Sequence, residues 1–94
     1  MPQITQQGVC DQATLCRTIV QEAVEAAALT DSLEALGDYR ARADRYMTEI
    51  SLWQEHSIRR NWVGVAAHCA EERKLAQRWF DIFGRHLERT LGDD

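Results

Sequence analysis

Two stripes of side chains, each stepping by threes and fours over more than twenty residues, leave this chain little choice but long helices packed side by side. The first stripe is Leu36, Tyr39, Ala43, Tyr46, Ile50, Trp53 and Ser57; the second is Trp62, Val65, Cys69, Glu72, Ala76, Trp79, Phe83, Leu87 and Leu91. That spacing gathers every member onto one face of an α-helix. The first stripe passes straight through Gly37, so one helix is expected over about 32–60, accepting a glycine cost of about 1 kcal/mol relative to alanine. The competing expectation is a short helix that stops at Gly37. Asp31 and Ser32 are good N-cap residues, and Asp31 with Glu34 has the spacing of a capping box. Asn61 and Gly64 bracket the next interruption, after which a third helix is expected over about 62–90. At about 1.5 Å per residue the two long helices match in length and form an antiparallel hairpin.

Upstream, Leu15, Ile19, Ala23, Ala26 and Leu29 recur at helical spacing among alanines, which predicts a first helix over about 12–29. Residues 1–11 contain Pro2, Gly8 and several glutamines without an apolar period, and a flexible N-terminal arm is expected there. The expected fold is therefore all-α: one helical domain spanning 1–94, an antiparallel hairpin of two long helices with a shorter N-terminal helix packed on it. Such a first helix covers only part of the hairpin, and a chain of 94 residues buries a modest share of its surface alone. Pairing into a homodimer is the expected remedy, with Tyr46 and Trp53 at the dimer seam.

Charge is uneven. Up to Asp38 there are six acidic residues against the single base Arg17, whereas ten bases meet nine acids from Tyr39 onward, for a formal net charge of −4 overall. That balance argues against a nucleic-acid-binding domain, which carries a clustered basic excess; a helical adaptor using Arg59, Arg60, Lys74, Arg78 and Arg85 is the form such a domain would take here. No apolar run approaches the length of a membrane span and no basic stretch leads into one, so neither membrane insertion nor secretion is expected. Cys10, Cys16 and Cys69 form no close pair, which suits free thiols in a reducing cytoplasm better than a disulfide scaffold.

The chemistry-bearing residues do not fall into a catalytic pattern. Glu22 and Glu25 on one helix with His68, Glu71 and Glu72 on another supply the residue types of a carboxylate-bridged metal site, which makes a metal-binding bundle the alternative function. Di-iron bundles, however, pair glutamates with Glu-x-x-His turns, and the nearest sequence here is the reversed His68-x-x-Glu71. A zinc set of Cys10, Cys16, Cys69 and His68 lacks closely spaced ligand pairs. His68 and Cys69 are adjacent on a helix and so point about 100° apart, unsuited to a thiol–imidazole pair. Glu72 interrupts an apolar stripe, so it is either paired, with Arg42 or Arg45 on the second helix as the candidates, or placed where the bundle opens or against a partner, or simply exposed by a local one-residue shift of the stripe.

Trp62-Val63-Gly64 resembles the turn of the small secreted helical hairpins of the WXG type. The resemblance covers three residues, and no tyrosine follows Tyr46 to supply that family's C-terminal signal. The expected function is instead a non-enzymatic protein-interaction module without cofactor, a small cytoplasmic regulator or inhibitor that binds a protein partner through helix surfaces. Arg78, Trp79, Phe80 and Phe83 on the third helix are the expected partner-binding residues, because aromatic side chains there spread around more than one helix face.

Overall fold

A helix cannot begin until its first free N–H groups find acceptors, and in this chain Thr5 supplies one: its Oγ1 accepts from the backbone N of Gly8 at 3.0 Å. The computed structural model, which describes residues 3–92, accordingly opens with α1 at Gln6–Ala27, followed by α2 at Leu33–Arg59 and α3 at Val63–Gly92. The expected arm over 1–11 is thus largely helix; its residues Met1 and Pro2 lie outside the described residues. What the sequence pattern hid is a second stripe on α1, in which Val9, Ala13, Cys16, Val20, Ala23 and Ala27 step by fours and threes and are all buried. The larger residues of the expected stripe are turned away from the core, leaving Leu15 50 % exposed, and Leu29 falls beyond the helix end and is 89 % exposed. Small residues win the inward position because they let α1 lie close in the furrow of the hairpin.

α2 runs through Gly37 without interruption, and Ser32 serves as its N-cap by accepting from the backbone N of Ala35. At its other end the N–H groups of Asn61 and Trp62 donate to the carbonyls of Ile58 and Ser57, with Asn61 at φ 58°. This is the Schellman arrangement, and asparagine tolerates the left-handed backbone it requires. The turn is therefore short, and α3 doubles back antiparallel to α2.

All three helices pack on one another. The main core contains Cys16, Val20, Val24, Leu36, Ile50 and Phe83, with Tyr39, Tyr46, Met47, Trp79, Phe80 and Leu87 partly buried against it. A second cluster near the α2–α3 turn joins Val9, Ala13, Val65 and Cys69 to Cys10, Trp53 and Trp62. The molecule is a rod with extents of 51 × 24 × 16 Å. Its radius of gyration, 15.1 Å, exceeds the roughly 12 Å of a compact chain this long, so its long sides carry much of its surface. Because α1 stops at Ala27, the first turns of α2 and the last of α3 project beyond it, and Leu29, Leu33 and Leu91 are exposed at that end.

Candidate functional site

The four residues expected to form a partner face do not share one. Phe83 is 2 % exposed and sits in the main core, a correction that follows from its place on the α3 stripe, where it occupies the same side as Cys69 and Ala76. Trp79 and Phe80 are partly buried against that core, and Phe80 lies 6.3 Å from Phe83, ring centre to ring centre. Arg78 is exposed, two residues away from Phe80 and so about 200° around the helix from it. Of the four, Phe80 lines an open groove.

That groove separates α2 from α3 on the side away from α1. One depression of about 240 Å³ is lined by Asp44, Met47, Thr48, Ser51, Arg73, Gln77 and Phe80. A second, of about 360 Å³, shares Arg73 and Gln77 and adds Gln54, Ala70 and Lys74, so the two form a continuous trough. Short side chains at Thr48, Ser51 and Ala70 keep its walls low, Met47 and Phe80 supply its apolar surface, and Arg73 with Lys74 makes one rim basic. Met47, Arg73 and Gln77 were not singled out by sequence reasoning; the signal was their place one step around the helix from Tyr46, Glu72 and Ala76.

A different arrangement joins α1 to α3. Glu72, 8 % exposed, accepts from Nε of Arg17 at 2.8 Å, and Arg17 also donates to Gln21, which in turn donates to Glu25. His68 Nε2 stands 3.0 Å from Oγ1 of Thr14 and 3.9 Å from the second oxygen of Glu72. The partner of Glu72 is therefore on the first helix and not, as expected, Arg42 or Arg45 on the second. Those two arginines instead stack on Tyr46, with guanidinium carbons 5.5 and 5.8 Å from the ring centre. Tyr46 and Trp53, the expected dimer seam, are half-buried, one against each core cluster.

The glutamates proposed as metal ligands are dispersed by the same contacts. Glu72 is held by Arg17, Glu25 by Gln21 and Glu71 by Lys74, and no group of three histidine, cysteine or acidic residues placed to hold a metal occurs among the described residues. The cysteines are free thiols. Burial, reinforced by the neighbouring Glu49 carboxylate, pushes the Cys16 thiol up to about 12, and burial also raises that of Cys69 against the opposing effect of a hydrogen bond with Ser57. Such thiols are poor nucleophiles. No described helix is long and apolar enough to cross a membrane. The chain matches no protein-family model, no curated protein and no solved structure.

Proposed function

We propose that this chain is a non-enzymatic protein-binding module, a small cytoplasmic regulator or inhibitor that seats a helix of its protein partner in the α2–α3 trough. The observation that carries the reading is the trough itself: an open furrow with Met47 and Phe80 for a partner's apolar side chains and a basic rim for its acidic ones. Amphipathic helices bind in such grooves through anchors spaced three and four apart. Cytoplasmic action suits three cysteines that are all free thiols.

The test is comparative co-purification from the native host, with wild type set against Arg73→Glu and a control substitution at exposed Asp11. A protein retained by wild type and by the control but depleted several-fold with Arg73→Glu supports the reading. Equal recovery with all three chains contradicts it.

A further inference from the structure

The flank formed by α1 and α2 carries exposed apolar groups and charges without an ion-pair partner among the described residues, although Arg42 and Arg45 also stack on Tyr46. Leu15 and Leu52 are 50 % and 60 % exposed, and Glu22, Arg42 and Arg45 are exposed with no ion-pair partner among the described residues. Leu52 lines a depression with Glu49, Trp53 and His56, and in the last two residues the indole nitrogen and Nε2 are buried without a hydrogen-bond partner. Orphaned polar atoms beside exposed leucines mark an incomplete surface.

The register of α1 against α2 follows from Cys16 lying beside Glu49, with Trp53 farther along α2 packed on the cluster that holds Val9 and Ala13. In these antiparallel helices Leu15 then stands within about 3 Å of the height of Leu52, and Glu22 within about 3 Å of that of Arg45, about two turns farther along. All four lie on the outer sides of the seam. Leu15 and Glu22 are seven residues apart, as are Arg45 and Leu52, so they repeat on the same helix faces.

We propose that this flank pairs two copies of the chain about a two-fold axis parallel to the helices. That axis preserves height while placing α1 of one copy against α2 of the other. It sets Leu15 against Leu52 of the second copy and Glu22 against Arg45 of the second copy, each contact made twice. A two-fold axis perpendicular to the helices and centred on the same residues sets Leu15 against Glu22 and Leu52 against Arg45, burying apolar groups against charges. Charge complementarity therefore selects the parallel axis. A face about 33 Å long and about 20 Å wide approaches the roughly 800 Å² per partner of a stable interface. The trough between α2 and α3 remains free, so the pairing does not rest on the partner-binding reading.

Sedimentation equilibrium of wild type, Glu22→Arg, Arg45→Glu and the doubly exchanged chain tests the proposal, with circular dichroism confirming that each is folded. Wild type is expected at twice the 10.8 kDa chain mass. Each single exchange should weaken the dimer by about ten-fold or more, and the double exchange should recover to within about three-fold of wild type. A monomeric wild type, single exchanges without effect, or a double exchange that fails to recover overturns it.

Discussion

Arg17 of α1 donates from Nε to Oε2 of Glu72 on α3 at 2.8 Å, in a seam where Glu72 is nearly buried and Arg17 only partly exposed. The pair fixes how α1 is rotated against the hairpin, because Arg17 reaches Glu72 only when the small-residue stripe of α1 faces inward. Removing one partner strands a buried charge, whereas replacing both with apolar residues of similar volume does not. Arg17→Met should therefore lower stability by about 2–3 kcal/mol, and Arg17→Met with Glu72→Met should recover most of that loss. Urea unfolding of the three chains measures it; additive losses would contradict the pairing.

Phe83 and Phe80 should separate structure from binding. Phe83 fills the main core, so Phe83→Ala should cost about 3–5 kcal/mol and lower the Tm sharply. Phe80 is half-exposed in the trough, and Phe80→Ser should cost clearly less while weakening partner binding. Thermal unfolding followed by circular dichroism orders the two; equal losses would place Phe80 in the core.

The cysteines make a pH prediction with a definite sign. The Cys16 thiol rises from an ordinary value of 9.0 to about 12 on folding. The folded chain therefore keeps a proton that the unfolded chain releases above about pH 9. Stability from this difference is complete below pH 9 and is lost as the pH rises toward about 12. Urea midpoints measured across pH 7 to 11 should fall less steeply for Cys16→Ala than for wild type, and parallel curves would contradict the assignment. At neutral pH, half-buried Cys10 should alkylate in the folded protein while Cys16 and Cys69 react only after unfolding, as mass spectrometry of native and denatured samples reads directly.

Gly37 and Thr5 test the helix limits. A Cβ at Gly37 meets nothing within 4 Å, and the position is exposed in the second turn of α2, so Gly37→Ala should stabilise by about 1 kcal/mol. Thr5→Ala removes the α1 cap and should cost about 1 kcal/mol. Shifts in Tm of opposite sign are expected, and a destabilising Gly37→Ala would mean that α2 is broken there.

The hairpin was legible in the sequence because its stripes are built from large side chains at strict helical spacing: Leu36, Ile50 and Phe83 are buried where the pattern puts them. α1 was legible as a helix but not in its rotation. Leu15 and Ile19 look more apolar than Ala13 and Cys16, yet close approach of three helices favours small residues at the centre, a tertiary constraint that no local window contains. The arm failed for a related reason, since only Val9, with half-buried Cys10 beside it, carries the first turns of α1 into the core, and Thr5 caps them. Glu72 was recognisable as a residue in need of a cation, but Arg17 and Arg45 are equally good candidates until the rotation of α1 is known. Of the residues expected at a partner face, aromatic content pointed to Phe80 and Phe83 together, whereas three residues of helix separate one at the trough from the other in the core.

Site-specific photo-cross-linking in the native host tests the proposed function most directly, with the cross-linking residue placed at Gln77 in the trough or at Asp11 on exposed α1. A discrete adduct with another protein from position 77, absent from position 11 and lost when Arg73→Glu is added, is the predicted result. Absence of any adduct from position 77, or the same adducts from both positions, would contradict a partner seated between α2 and α3.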